Sequence, residues 1–412
     1  MNKIILSHPT GNANVRAAAM GMKEAGLLKE FHTTIAIFPK DFLFKLSALK
    51  GPFSEISRRT FDASLKDLTY SSPFWEIGRL ISAKVGIGSL IEHEKGKFCI
   101  DSVYHQLDKN VAKRLERKNK HFNAIYAYED GALFSFKMAK QLGVSCFYDL
   151  PIGYWRAARK LMESELERWP EWSGTLTGFK DSSDKLSKKD EELRLADKIF
   201  VASTFTAKTL QEYPGNLAQI EIIPYGFPPV GETKKYNSHK PLKVLFVGGL
   251  SQRKGLAYLF AAADRLGNAV ELTVVGHKPV EDCLPLNAAL NKHQWIPSLS
   301  HEGILKLMQV QDVLVFPSLF EGFGLVITEA MSQGTPVITT DRTAGPDLIE
   351  HGNNGWIIEA GSTDAIIEVL EELLLNPRQI SQVGKSAMET AKNRPWSVYG
   401  KDLAEKLIIG DN

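Results

Sequence analysis

The sequence predicts an α/β protein with two doubly wound, Rossmann-like domains that face each other across a cleft. Short apolar strands alternate with helical segments up to residue 226, and a second such series begins at residue 243. This alternation favours parallel sheets with helices on both faces. Residues 227–242 are rich in proline, glycine and polar side chains, which indicates a linker. A chain of 412 residues is also too long for one ordinary hydrophobic core.

The first domain (residues 1–226) is predicted to open with a β-α-β unit. Residues 3–7 form its first strand, and Asn12 or Asn14 is placed to cap an alanine-rich helix that runs up to Gly26. Residues 33–38 are expected to form the second strand. The turn sequence HPTGN lacks the G-x-G-x-x-G fingerprint, which disfavours a nicotinamide site.

Residues 40–100 are less regular and allow two interpretations. The segments FLFKLSALK (42–50) and FWEIGRLISAKVGIGSLI (74–91) mix aromatic, aliphatic and basic side chains. One interpretation is a set of core helices with a lysine rim, and the sequence favours it. The other is a surface that docks on a membrane or holds an amphiphilic acceptor.

Regular alternation returns at residue 124. Residues 155–189 are long, polar and rich in tryptophan, and they predict a helical excursion with a mobile loop. Ser203 is expected to cap the helix that follows the next strand. Four strands are predicted in this part of the chain: residues 124–128, 144–148, 196–202 and 220–223.

The second domain (residues 243–393) repeats the pattern. A final amphipathic helix occupies residues 394–412. Helices are expected at 255–266, at 300–310 and from Leu325 onwards, and strands at 243–247, 270–275, 313–316 and 336–340.

Composition excludes several classes of protein. The sequence contains no run of eighteen apolar residues, so no transmembrane helix is predicted. The opening MNKIILSHPTGN predicts a first strand rather than a signal peptide. Three scattered cysteines suggest reduced thiols and a cytoplasmic protein. The net charge of +2 combines an excess of cations up to Ile223 with an excess of acids beyond it. The basic run at 113–120 is either a solvated helix face or part of a surface for an anionic partner.

Residues 312–347 predict a strand, a glycine-punctuated loop, a helix and a second strand. Glu321 and Glu329 lie eight residues apart in this stretch, with Gly322 and Gly324 between them. Glycines allow a ligand to approach the backbone, and the start of the helix offers N–H groups and a positive dipole end to a phosphate. From these residues alone, an ordinary strand-loop-helix corner is an equal alternative.

Two further glycine turns, Gly248-Gly249 and Gly276, follow strands of the same domain. In a parallel sheet such turns lie at one edge, where doubly wound folds bind ligands. Arg253 and Lys254 come soon after the first of these turns. A guanidinium and an ammonium group at a helix start suit a diphosphate.

These residues carry a family resemblance. The segments VGGLSQRKGLAYL, FPSLFEGFGLVITEAMSQGTPVITTDRTAGPDLI and NGWII resemble the donor-binding half of retaining glycosyltransferases of the GT-B fold, family 4 group. The E-x7-E signature of that group is matched by Glu321 and Glu329. ADKIFVASTFTAKTL and IIPYGF are similar to the end of its first domain, and the final helix resembles one that returns to that domain.

The resemblance implies roles for individual residues. Lys254 would contact the donor diphosphate with help from Arg253, Glu321 would lie near the hydroxyls of the donor sugar, and Glu329 would bind the ribose. Gly11 would close over the phosphates from the first domain. Main-chain groups of Gly322, Phe323, Gly324 and Leu325 would meet sugar and phosphate, Gly276 would line the donor site, and Ile296 would border the base.

Two positions depart from the group's pattern. The group often has an arginine where this chain has Gly249, which leaves the diphosphate charge to Lys254 and Arg253. It also commonly has a histidine near the end of a first-domain strand, where this chain has Tyr148 and Asp149. Asp149, or alternatively Glu129, is therefore the candidate for acid/base assistance.

The implied activity is retaining transfer of a hexosyl group from a UDP-, GDP- or ADP-linked sugar to an acceptor hydroxyl. Glycan, lipid-linked and small-molecule acceptors all remain open, and cell-surface glycan or glycoconjugate synthesis is the expected setting. Neither a metal nor another cofactor is expected, because two cations and a helix dipole can stabilise the leaving diphosphate. No nucleic-acid partner is expected. The protein is predicted to be cytoplasmic, with peripheral contact to anionic lipid at the inner membrane face as a second hypothesis.

Two alternatives to this activity stay open. One is a nucleotide-sugar epimerase or phosphorylase on the same fold. The other is a catalytically weak partner subunit that binds nucleotide sugars, which the departures at Gly249 and Asp149 keep under consideration.

Overall fold

Two parallel β-sheets organise the protein in a computed structural model that describes residues 3–39, 59–236 and 241–408. The first sheet contains β1 (Ile4–Ser7), β2 (Leu28–Thr33), β3 (Thr69–Ser71), β4 (Ala124–Tyr128), β5 (Ser145–Leu150), β6 (Lys198–Val201) and β7 (Gln219–Ile222). The second contains β8 (Leu242–Val247), β9 (Val270–Val275), β10 (Gln294–Ile296), β11 (Val313–Phe316), β12 (Val337–Thr340) and β13 (Trp356–Ile358).

The described helices cover both faces of the two sheets. In the first half they are α1 (Ala13–Glu24), α2 (Phe74–Val85), α3 (Gly88–Ile91), α4 (Ile100–Arg117), α5 (Leu133–Leu142), α6 (Trp155–Arg168), α7 (Ser183–Leu195) and α8 (Thr204–Thr209). In the second half they are α9 (Leu256–Leu266), α10 (Leu284–Lys292), α11 (His301–Val310), α12 (Leu325–Ser332), α13 (Gly345–Leu348), α14 (Thr363–Leu375), α15 (Arg378–Asn393) and α16 (Trp396–Lys406).

The strand orders are those of doubly wound sheets. They run β3-β2-β1-β4-β5-β6-β7 and β10-β9-β8-β11-β12-β13, and neighbouring strands pair in parallel. The central strands β1, β4, β8 and β11 are apolar and buried on both faces, as parallel sheets under helices require. The predicted α/β fold with two Rossmann-like domains is confirmed.

The prediction for the second strand was wrong. That strand, β2, is Leu28–Thr33 and pairs with β1, whereas the prediction placed it at residues 33–38. The prediction failed because the residues after Thr34 are also apolar and resemble a strand. In the structure Gly26 (φ 69°) terminates the helix, and the chain enters the sheet directly after Leu27. Ile37 makes only an isolated bridge to Thr60.

The two predicted helix caps had different outcomes. Asn12 occupies the cap position of α1, but its side chain makes no cap hydrogen bond. Ser203 caps α8 as predicted, since its hydroxyl oxygen accepts a hydrogen bond from the backbone N–H of Thr206.

The irregular region contains an exposed apolar helix. Helix α2 leaves Phe74, Ile77, Ile81 and Val85 between 43% and 66% exposed, so the favoured interpretation as a core helix was wrong for this segment. The segment 42–50 lies outside the described residues. Within the described part of the chain, no helix is long and apolar enough to cross a bilayer.

The excursion between β5 and β6 packs on the second domain. It consists of α6, short 3₁₀ turns at 170–175 and 177–180, and α7. The buried carboxylate of Glu165 accepts hydrogen bonds from Gln252 Nε2 (3.0 Å) and from the hydroxyl of Tyr258 (2.9 Å). The hydroxyl of Ser251 donates to the carbonyl oxygen of Thr175 at 2.7 Å. These contacts fasten the first domain to the turn that carries Arg253.

The last helix returns to the first domain. Helix α16 crosses α1 where two glycines, Gly21 and Gly400, meet. A methyl group on Gly21 would overlap the carbonyl oxygen of Gly400, so the two backbones approach more closely than any side chain would allow.

We expect the substitution Gly21→Ala to destabilise the protein by about 1–3 kcal/mol, because overpacking against a backbone carbonyl forces the helices apart. The added methyl group meets a backbone carbonyl that cannot move aside cheaply, so we expect a cost at the upper end of this range, which the helix propensity of alanine offsets by about 1 kcal/mol. Urea unfolding measures the change. Gly88→Ala is the control, since no atom lies within 4 Å of the added methyl group. A Gly21→Ala protein as stable as the wild type would contradict the close crossing.

Candidate active site

Three glycine turns converge at the carboxyl edge of the second sheet. Strands β8, β9 and β11 are parallel neighbours, so the turns that follow them lie side by side. The backbone N–H of Gly248 donates to the carbonyl oxygen of Val275 (2.9 Å), and that of Gly276 donates to the carbonyl oxygen of Ile296 (3.0 Å). Gly249 is exposed, and no atom lies within 4 Å of the place where its side chain would begin.

Two cations share one carboxylate at this edge. A 3₁₀ turn, Gln252–Lys254, presents Arg253 and Lys254, and Lys254 Nζ donates a short hydrogen bond to Glu321 Oε2. Arg253 Nη1 lies 3.2 Å from the same oxygen and donates to the carbonyl oxygen of Phe320 at 2.6 Å. When both cations are protonated, the group of three carries one unbalanced positive charge.

Burial shapes the electrostatics of this group. Removal from water lowers the pKa of Lys254 well below its ordinary value, and the neighbouring Arg253 lowers it further. Burial also lowers the pKa of Arg253 to about 10. A buried lysine and a half-buried arginine with one shared counter-ion create a site that a second anion would stabilise.

The loop after β11 brings backbone groups to the same place. Gly324 adopts φ 86°, a left-handed conformation that favours glycine, and helix α12 begins at the next residue, Leu325. The start of this helix has no side-chain cap, so the positive end of its dipole is not offset by a capping side chain. The adjacent Phe323 ring packs 4.8 Å from the ring of Tyr225 in the first domain.

Gly322 joins this loop to the first domain. Its carbonyl oxygen accepts hydrogen bonds from the hydroxyl groups of Ser203 (2.5 Å) and Thr206 (2.9 Å) at the start of α8. A side chain on Gly322 would overlap the carbonyl oxygen of Pro151. The two domains are thus in direct contact beside the cations.

Glu329 lies on α12, one turn after the loop. His301 Nδ1 approaches its Oε1 to 3.5 Å, which links α12 to the corner between β10 and α11. Burial raises the pKa of Glu329 and His301 opposes that rise. Ile296 ends β10 at this corner, and Trp295 Nε1 donates to the carbonyl oxygen of Gly276 at 2.9 Å. Glu329 therefore contacts one end of the β10–α11 corner, and Ile296 is at the other end.

The first-domain candidates occupy different environments. Asp149 is 3% exposed near the end of β5, where the hydroxyl group of Tyr126 donates a hydrogen bond to it. Burial raises its pKa to about 7. Gly11 packs against the ring of Phe61. The acid/base role of Asp149 and the phosphate contact of Gly11 stay predictions.

A cavity of about 220 Å³ lies between the two domains next to Arg253. Its first-domain walls come from the turns after β4 and β5, from α6 and α7 and from the 3₁₀ turn 177–180, and its second-domain walls from Ser251, Arg253 and Phe320. Glu129, the alternative acid/base candidate, lines the cavity and pairs with Lys189 at 3.0 Å.

The sequence did not reveal several residues of this region. Ser203 was predicted only as a local cap, and Thr206, Glu165 and Arg159 were not singled out at all. Their partners lie more than twenty residues away, and no local pattern marks such pairs. The spacing of Ser203 and Thr206 on one helical turn was the only available signal.

One grouping of potential metal ligands occurs among the described residues. A side-chain atom from each of His93, Glu94 and Asp181 lies within 4.8 Å of the others. Lys185 already pairs with Asp181 at 3.2 Å, and none of these residues contacts the shared carboxylate of Glu321. The predicted independence from metals stays a prediction.

The turns, the cations and both glutamates fall within one contiguous part of the chain. Residues 232–390 match the family model described as Glycosyl transferases group 1. The amylovoran biosynthesis glycosyltransferase AmsK of Erwinia amylovora is 30% identical over 185 residues, which are 41% of this chain and 45% of that protein. The phosphatidyl-myo-inositol mannosyltransferase of Mycobacterium leprae is 28% identical over 184 residues, or 43% and 46% of the two chains. The chain thus spans less than half the length of these relatives.

Solved structures match almost the entire chain. Sucrose-phosphate synthase from Thermosynechococcus elongatus superimposes with a TM-score of 0.64 at 18% identity and covers 98% of both chains. HepE of Anabaena, solved in complex with UDP-glucose, gives a TM-score of 0.62 at 15% identity and covers 99% of both. These likenesses confirm the predicted GT-B architecture.

We expect the stability of the wild type relative to Asp149→Asn to fall as the pH rises from about 4 to 7. Burial raises the pKa of Asp149 from its ordinary 3.8 to about 7, so the folded state holds the proton more tightly. The resulting stabilisation is complete below pH 4 and is lost as the pH passes through 7, by at most about 4 kcal/mol. Urea unfolding at several pH values measures it. The control is Asp364→Asn: the Asp364 side chain is 72% exposed, so the stability of this variant should change with pH as that of the wild type does. If the stability of Asp149→Asn also changes with pH as that of the wild type does, the burial argument is contradicted.

Proposed function

We propose that this protein transfers a glycosyl group from a nucleoside-diphosphate sugar to an acceptor hydroxyl. The observation that carries this proposal is the pair of desolvated cations, Arg253 and Lys254, that share Glu321 beside the uncapped start of α12. A diphosphate has the charge to complete this arrangement. The family match over residues 232–390 supports glycosyl transfer, and the UDP and UDP-glucose complexes of HepE support a nucleotide sugar as donor.

The diphosphate would bind Lys254 and Arg253 and loosen their bonds to Glu321. The released carboxylate would then accept hydrogen bonds from hydroxyls of the donor sugar. Gly276 would line the donor site, Ile296 would border the base, and Glu329 would bind the ribose. UDP is the first donor nucleotide to test, with GDP and ADP as the alternatives.

Electrostatic stabilisation of the leaving group would drive the reaction. The acceptor oxygen forms a bond to the anomeric carbon while the bond from that carbon to the β-phosphate oxygen breaks. The bonding electrons pass to the phosphate, which takes the acceptor's proton. Attack from the face of the departing phosphate retains the anomeric configuration. Two cations and the helix dipole replace a metal ion in this scheme.

We expect one class of nucleotide sugar to stabilise the protein. A donor at 100 times its dissociation constant adds about 2.7 kcal/mol to the free energy of unfolding. A thermal-shift panel of UDP-, GDP- and ADP-sugars, with the matching monophosphates as controls, identifies it. The proposal fails if no diphosphate sugar at millimolar concentration shifts the unfolding temperature more than its monophosphate.

We expect Lys254→Met to lower the rate of transfer by about 10²–10³-fold, by analogy with the removal of one oxyanion donor. Glu321→Gln should lose transfer too, yet keep or strengthen binding of the free nucleoside diphosphate, because it removes the competing carboxylate. Radiolabelled donor turnover and calorimetry measure the two effects. Lys306→Met, at a side chain 72% exposed, is the control. Wild-type turnover in Lys254→Met would refute this assignment of the site.

A further inference from the structure

The cavity between the domains has walls of two kinds. Trp155, Met162, Phe179 and Phe320 supply apolar and aromatic surface from both domains. Charged side chains line it as well: Glu129, Arg159, Asp181, Lys189 and Arg253. Its volume of about 220 Å³ is below the roughly 300 Å³ at which pockets for drug-sized ligands begin, so it accommodates a single ring with its substituents.

Most charges that line the cavity are already balanced. Glu129 pairs with Lys189 at 3.0 Å. The carboxylate of Asp181 pairs with Lys185 at 3.2 Å and with His93 at 2.9 Å. Arg253 shares Glu321 with Lys254.

Arg159 is the exception. Its guanidinium donates through Nη2 to the backbone carbonyl oxygen of Asp181 (3.3 Å) and lies 5.3 Å from the centre of the Trp155 ring. Across residues 3–39, 59–236 and 241–408 it has no carboxylate partner. Arg159 is half-buried, and a guanidinium at the edge of a cavity without a counter-ion can pair there with a carboxylate or a phosphate through its fork of donors.

The anion that suits Arg159 is distinct from the donor diphosphate. Lys254, Glu321 and the main chain of 322–325, which would hold that diphosphate, do not line the cavity. Among the predicted donor residues, all of which the structure describes, Arg253 alone also lines the cavity. A ligand in the cavity would therefore lie next to the reacting end of the donor, which is where an acceptor must bind.

We propose that the cavity binds the acceptor, and that this acceptor is a ring-sized hydroxyl compound whose carboxylate or phosphate group is bound by Arg159. This inference rests on the proposed glycosyl transfer. The aromatic walls would pack against the ring, and Glu129 would accept a hydrogen bond from one of its hydroxyls.

The test compares binding of anionic and neutral sugars in pairs. The probes are glucuronate and glucose, galacturonate and galactose, and glucose 6-phosphate and mannose 6-phosphate with their parent hexoses. Dissociation constants come from saturation-transfer NMR on the full chain, with the nucleoside diphosphate found in the donor panel present at saturation. The uronates and the hexose phosphates distinguish a carboxylate from a phosphate as the recognised group.

In the wild type, the anionic member of at least one pair should bind about 10- to 100-fold more tightly than the neutral one. Arg159→Gln should reduce that ratio to about one, and Arg159→Lys should give an intermediate ratio, since it keeps the charge but not the fork of donors. Arg156→Gln is the matched control. Arg156 lies on the same helix and over the same Trp155 ring, but it is paired with Asp190 at 2.6 Å and does not line the cavity.

Equal binding within every pair, or a preference that survives Arg159→Gln, would overturn the inference. Loss of donor binding in Arg159→Gln would also overturn it, because Arg159 would then belong to the diphosphate site. The donor panel on the wild type separates the two proposals. A nucleotide-sugar shift without any preference for anionic sugars leaves glycosyl transfer standing and removes only this acceptor.

Discussion

Two cations and one carboxylate form the group on which the rest of the site depends. Arg253 and Lys254 follow one strand, and Glu321 follows the neighbouring strand. Only a parallel sheet brings two such turns to the same edge. The pairing also explains how a ligand-free protein tolerates two desolvated cations, since Glu321 holds the place that an anion would take. The parallel strand order is therefore what allows Glu321 to neutralise one of the two cations at this edge.

The turn with the two cations is fixed from the first domain. Gln252, next to Arg253, donates to Glu165 of α6 and accepts a hydrogen bond from the backbone N–H of Ala257. On the other side, Ser203 and Thr206 hold the carbonyl oxygen of Gly322. The first domain thus supplies hydrogen bonds that orient site residues of the second on two sides. Separation of the domains would release both the cation turn and the loop before α12.

The sequence predicted what local chemistry determines. Period, strand length and glycine position located β8, β11 and α12, and the Ser203 cap depends on a residue only three positions away. The failures have physical causes. The apolar run after Thr34 resembles a strand as well as β2 does, and the pattern of α2 does not show that its apolar face is left uncovered. Whether Asp149 is buried or Arg159 lacks a counter-ion depends on elements far apart in the chain, so no spacing reveals it.

Proton uptake is a consequence of this arrangement of charges. Burial lowers the pKa of Lys254 well below its ordinary value, and a diphosphate beside it would raise that pKa again. If the proposed donor binds here, its binding and the protonation of Lys254 would favour each other, and donor binding would weaken as the pH rises through the pKa of Lys254 in the free protein. In the proposed transfer, the same linkage would favour departure of the nucleoside diphosphate, because the negative charge that develops on it would meet a protonated lysine. The cost of a buried cation in the free protein would then be offset at the step in which the bond between the anomeric carbon and the phosphate oxygen breaks.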